Sequence, residues 1–186
     1  MITDRRSIIA GAALFAAAPA FAQAAMPPAR PMSPMSPADI KMAPQFFSAV
    51  LPRAEMSLST SQLAVEHATN RNAHEFAGFE LGEAITVNMV LKDILTSVPA
   101  MDKTAEMSLV EKMKGTTKGG AFDRAYIAFQ LENHEHLRDL ADAYLANSAG
   151  ASDPAEKQGR HLGALMLAVF KEHVAICKRI SGELKA

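Results

Sequence analysis

The sequence predicts an all-α protein whose mature part is a bundle of four main helices, and three observations carry that expectation. Tryptophan is absent and β-branched residues are sparse, while Ala, Leu, Met, Glu and Lys are plentiful, a composition that favours helix over strand. Apolar residues recur at helical spacing in three long segments, and each segment shows a single stripe. Short breaks made of proline and glycine separate those segments, so the stripes must close over one another and over a fourth helix.

The N-terminus reads as a secretory signal over residues 1–24. Arg5 and Arg6 form a positive start, Ile8 to Ala18 a short apolar run, and Ala22-Gln23-Ala24 a small-x-small cleavage site, with Ala20-Phe21-Ala22 as a second choice. The run is shorter than the about 20 apolar residues that hold a bilayer permanently, so no stable span is expected after cleavage. The paired arginines followed by Ser7, Ile8 and Ile9 fit a twin-arginine signal as well as a general secretory one. A periplasmic or otherwise exported protein is the expectation. Cys177 is the only cysteine, so packing rather than an internal disulfide must supply stability. The net charge of −1 gives no electrostatic case for nucleic acid or an anionic membrane as partner.

Residues 25–42 are expected to be a disordered tether, because Pro27, Pro28, Pro31, Pro34 and Pro37 favour extended chain. Met26, Met32 and Met35 lie between them; thioethers at that spacing can take Cu(I), but no histidine joins them. The helical domain then occupies 43–186. Its first helix is placed from about Arg53 to Asn70, after Pro52 interrupts the Phe46-Phe47 segment, and its second from Asn72 as N-cap to about Ser97, before Pro99. A short helix covers Lys103 to Lys114, and Gly115, Gly119 and Gly120 break it. The third main helix runs from about Ala121 to Asn147. Asp153 as N-cap, Pro154 and Glu156 open the fourth, which continues to about Leu184.

At about 100° per residue, Leu162, Met166, Val169, Phe170, Cys177, Ile180 and Leu184 share a face of the fourth helix. Phe122, Tyr126, Phe129, Leu137, Leu140 and Tyr144 share one on the third, and Phe76, Phe79, Val87, Val90 and Ile94 one on the second. Polar residues fall among them. Glu83 is placed inside the second stripe, His173 inside the fourth, and Asn133 and His134 at the third. Glu55 and Glu66 share a semi-polar face of the first helix with Ser59 and Gln62. An ionised carboxylate against a core is costly unless paired, hydrogen-bonded or bound to a metal.

Two interiors satisfy that requirement. In one, Glu83, His134, His173 and Glu55 or Glu66 converge on iron, manganese or zinc. In the other, Glu83 pairs with a histidinium or accepts bonds from Asn133 and Tyr126, and no cofactor is needed. The two Glu-x-x-His steps of carboxylate-bridged di-iron bundles are missing. His134 and His136 diverge by about 200° on a helix and cannot chelate together. No zincin motif, phosphate-cradling loop or nucleophile elbow occurs. Cys177 sits on an apolar face as a small core residue.

Ala54-Glu55, Leu63-Ala64, Glu75-Phe76-Ala77, the run Ala121-Phe122-Asp123-Arg124-Ala125-Tyr126, His134 and His173 resemble the exported bacterial family called domain of unknown function 4142. The Phe-Asp-Arg-Ala-Tyr run with a histidine eight residues after the Tyr is the most specific piece, and the likeness spans about Phe46 to Ile180. It implies an exported, ferritin-like four-helix bundle and supplies no reaction. Where the family pattern has an Asp-His pair, this chain has Glu83 and Ala84. Asp123 is read as a cap or salt-bridge group, not as a catalyst. The functional expectation is a non-enzymatic exported protein with an envelope or stress-related binding role toward an unidentified protein or small molecule. The alternative is a ferritin-like metal-binding or oxidative protein with its site inside the bundle.

Overall fold

The computed structural model describes residues 36–97 and 103–185. The expected signal over 1–24, the methionines Met26, Met32 and Met35, and Pro99 lie outside the described residues. Every regular element among the described residues is helical. A 3-10 turn at Pro37–Asp39 leads into α1 (Ala43–His67), followed by α2 (Arg71–Ile94), α3 (Thr104–Lys114), α4 (Gly120–Asn147) and α5 (Pro154–Glu183).

The end of the expected tether packs against the domain. Ile40 is fully buried, and the Asn147 side-chain amide donates to its carbonyl at 2.9 Å. α1 begins ten residues before the expected start and runs through Pro52. A proline inside a helix costs a hydrogen bond and about 3 kcal/mol. Here burial of Phe46, Phe47, Val50 and Leu51 in the preceding turns outweighs that cost, at about 1.5–3 kcal/mol for each large apolar side chain buried.

The α1–α2 corner is built by side chains standing in for helix bonds. Asn70, rather than the expected Asn72, caps α2: its side-chain Oδ1 accepts the Asn72 and Ala73 backbone N–H groups. Asp123, at the start of α4, accepts the N–H of Thr69 at 3.0 Å, the Thr69 hydroxyl at 2.9 Å and the N–H of Asn70 at 2.9 Å. Asp153 caps α5 through Ala155 and Glu156, with Pro154 at the first helical position as the sequence predicts.

α1 packs against α2 and α4, α4 packs against α5, and α3 lies on α1. The starts of α2 and α4 meet at Asn70 and Asp123, so these two helices run in the same direction, and the chain carrying α3 returns along their length. At the opposite end, Glu156 ties α5 to both neighbours. Its carboxylate accepts the N–H of Ala43, at 3.0 Å to each oxygen, and the Tyr144 hydroxyl at 2.6 Å. That hydrogen bond and burial push the Tyr144 hydroxyl well above its ordinary pKa, burial being the larger cause. Gly159 permits the approach, since a Cβ there would stand 2.3 Å from that of Ala43.

Among the described residues, two apolar clusters form the interior. One gathers Phe46, Leu51, Leu140, Tyr144 and Phe170; the other gathers Phe76, Phe122, Tyr126, Cys177 and Ile180. Between them, on each of α1, α2, α4 and α5, the buried positions turn polar.

Candidate metal centre

The buried face of α2 differs from the expected one. Ala73, Phe76, Ala77, Glu80, Ala84, Asn88 and Leu91 are buried, at three- and four-residue spacing. Phe79 is 65% exposed and Ile94 43%, and the Glu83 side chain is 48% exposed, so Glu83 does not face the core. The face that meets the rest of the molecule is carried by alanines, whose small side chains let α2 lie close to α1. Weighting the helix by bulky apolar residues draws the stripe toward Phe79 and Ile94. The displacement from Glu83 to Glu80 is about 60° around the helix. Glu80, rather than Glu83, is the acid in the core.

Glu80 meets two imidazoles there. Its Oε2 lies 2.9 Å from His173 Nδ1 and 3.4 Å from His134 Nε2, and those two nitrogens are 3.1 Å apart. All three residues are buried, at 4%, 2% and 5% exposure for Glu80, His134 and His173. Each imidazole is fixed from outside. His134 Nδ1 stands 2.8 Å from the carbonyl of Gln130, which can only accept, so Nδ1 carries the proton and Nε2 turns inward. His173 Nε2 stands 3.0 Å from Glu83 Oε2, again an acceptor, so Nδ1 turns inward. Phe76 covers His173 edge-on with ring centres 5.3 Å apart, and Phe170 lies 6.1 Å from His134.

Burial alone would raise the Glu80 carboxyl, but the close imidazoles of His134 and His173 reverse this and hold it near 2. Burial opposes charge on His173 too, and Glu80 and Glu83 together outweigh it and hold the imidazole up, near 9. In the metal-free protein the cluster is therefore a buried carboxylate–imidazolium pair with His134 beside it. Yet Glu80 Oε2 accepts no well-directed hydrogen bond despite its 2.9 Å distance from His173. A buried carboxylate oxygen in that state is costly and uncommon.

The three inward atoms suit one cation. Donors held about 2.1 Å from an ion stand about 3.0 Å apart on an octahedral face and about 3.4 Å apart in a tetrahedron. The observed edges of 2.9, 3.1 and 3.4 Å fall in that range. Two imidazoles and a carboxylate are ligands for first-row divalent metals rather than for calcium or magnesium. Among the described residues this is the one group of three such side chains close enough to share an ion.

Of the residues singled out in the sequence, His134 and His173 come together here, and Glu83 touches His173 from outside. Glu55 and Glu66 stand apart. Glu55 is buried, but against Lys92 at 2.7 Å and Lys103 at 3.3 Å. Glu66 is exposed, lining an open cleft of about 500 Å³ with Ser59, Gln62, Glu106 and Glu111 between α1 and α3. The face of α1 that enters the interior is Ser57, Thr60, Ser61 and Ala64 instead. Asn133 and Tyr126 do not serve Glu83. The Asn133 amide donates to Ser57 Oγ at 3.1 Å, Tyr126 Oη pairs with Ser61 Oγ at 2.9 Å, and Gln130 bridges Ser57, Thr60 and Ser61. This ladder joins α1 to α4 beside the cluster. Burial raises the Tyr126 hydroxyl well above its usual pKa, and it raises the Cys177 thiol to about 12, with the Glu80 charge adding to both. Cys177 is a neutral core thiol.

Ala84 is buried one turn beyond Glu80, so the position where the family pattern has an imidazole faces the same interior. The sequence reasoning missed Glu80 and Gln130. The three-four spacing of Ala73, Ala77, Glu80 and Ala84 was the available signal for Glu80. Comparison with known proteins places residues 28–158 on a family model described as Domain of unknown function (DUF4142). The matched stretch contains Glu80 and His134 and ends before His173. No curated protein and no solved structure matches the chain.

Proposed function

The chain belongs to the family described as Domain of unknown function (DUF4142), a membership that specifies no chemistry, and from the interior geometry we propose that it is a metal-binding helical protein. Glu80, His134 and His173 hold one first-row divalent ion, iron, manganese or zinc, between α2, α4 and α5. The observation that carries this reading is the triangle of inward donor atoms, with edges of 2.9, 3.1 and 3.4 Å and one carboxylate oxygen left without a hydrogen bond. Three protein donors leave further coordination positions, as in sites that bind small ligands on the metal. The Arg5-Arg6 start and the apolar run after it support an exported location, where the protein would serve the cell envelope. The pairing of α1 with α2 and α4 with α5, and the crossover through α3, support a ferritin-like four-helix arrangement.

A purely structural role for the cluster is the competing reading, favoured by the shifts that stabilise a Glu80–His173 ion pair without metal. Metal analysis separates the two. Untagged protein purified from its native compartment should carry about one equivalent of a first-row metal, and Glu80→Ala should lose it. Metal-free wild type that also takes up no zinc, manganese or iron on addition would establish the structural reading.

A further inference from the structure

The two imidazoles of the centre are held from outside in different ways. His134 gives its outer proton to a backbone carbonyl of its own helix, Gln130. His173 turns its outer nitrogen toward a side chain on a different helix, the Glu83 carboxylate of α2, at 3.0 Å. Glu80 and Glu83, three residues apart on α2, thus bracket the His173 ring, one at each nitrogen. Glu83 is the acceptor that faces Nε2 and favours it as the protonated nitrogen. Without Glu83 the ring could turn over, or shift its proton, and withdraw Nδ1 from Glu80 and His134. Charge points the same way. A divalent ion with Glu80 alone leaves a net positive charge in an apolar surround, and the Glu83 carboxylate cancels it.

We propose that Glu83 is the positioning residue of the centre: its carboxylate fixes His173 as an Nδ1 ligand and balances the second charge of the ion. This rests on the metal reading above. A carboxylate behind a ligand imidazole orients the ring and raises its donor strength, and its loss costs about 10–100-fold in affinity. Because Glu83 is half exposed, its replacement leaves the packed interior in place.

The test compares zinc affinity, and the 15N signals of the His173 ring in zinc-loaded protein, for wild type, Glu83→Ala and Glu83→Gln. Wild type should show Nδ1 ligated and Nε2 protonated. Glu83→Ala should bind zinc about 10–100-fold more weakly and lose the single Nδ1-ligated signature. Glu83→Gln, whose amide oxygen still accepts from Nε2, should restore that signature while recovering affinity only in part. Unchanged affinity in Glu83→Ala overturns the inference, as does weaker binding with an unaltered Nδ1 signature. Wild type that takes up no zinc at all overturns the metal reading itself, a separate failure.

Discussion

Replacing Glu80 by leucine tests the centre of the structure at its most sensitive point. The change removes a carboxylate that is 4% exposed and leaves His173 Nδ1 and His134 Nε2 without their shared partner. Breaking a buried ion pair from one side costs about 3–5 kcal/mol. For a domain of this size each kcal/mol moves the melting temperature by about 2–4 °C, so a fall of about 6–20 °C is expected in chelator. The lower end applies if His173 sheds its proton once Glu80 is gone. Replacing Glu80 and His173 together by leucine removes both charges from between the apolar clusters, and that variant should melt near wild type or above it in chelator. The metal adds a separate term. At a free concentration about one hundred times Kd, a bound ion stabilises wild type by about 2.7 kcal/mol, which is about 5–11 °C. Neither variant should gain anything. Circular dichroism melts at 222 nm, with chelator and with zinc, measure all of these quantities. If Glu80→Leu melts with wild type in chelator and responds equally to zinc, Glu80 is neither paired nor a ligand and the reading of the interior fails.

Four other outcomes follow from the same structure. The folded-state pKa of His173 is raised, so the stability it contributes is full below about 6.5 and is lost as pH rises toward about 9. Glu80, with its pKa lowered, contributes stability that is lost only as pH falls from about 4.5 toward 2. Metal-free protein should therefore weaken in urea melts between pH 6.5 and 9, while zinc-bound protein strengthens relative to it because the proton no longer competes; parallel curves would contradict this. Gly159→Ala, whose Cβ would meet Ala43 at 2.3 Å and the Tyr144 hydroxyl at 2.9 Å, should lose about 1–3 kcal/mol by chemical denaturation. Gly82→Ala, with nothing within 4 Å, should gain about 0.5–1 kcal/mol. Phe76→Ala should cost about 3–5 kcal/mol and Phe79→Ala under about 0.5 kcal/mol in the same assay; equal losses would restore the face of α2 centred on Glu83.

Helix identity was legible in the sequence because its causes are local. Asp153 and Pro154 start α5 within one turn, glycines end α3, and composition favours helix throughout. Burial of His173 and His134 was legible too, since the stripes of α4 and α5 carry large apolar residues on the side that packs. The start of α1 was not. Local rules break a helix before proline, and only the burial of Phe46, Val50 and Leu51 against α4 and α5 carries it through Pro52.

The sequence by itself determined that this chain folds as helices and that acids and imidazoles would be trapped where those helices meet. Which acid is trapped was decided by the tertiary structure. Alanines at 73, 77 and 84 bring α2 close along one line, and that line turns Glu80 inward and leaves Phe79 in solvent. Periodicity counts hydrophobic weight on one helix, whereas the rotation of a helix in its seat depends on how closely its neighbours can approach. Three donor atoms on three helices reach one point only once that rotation is set.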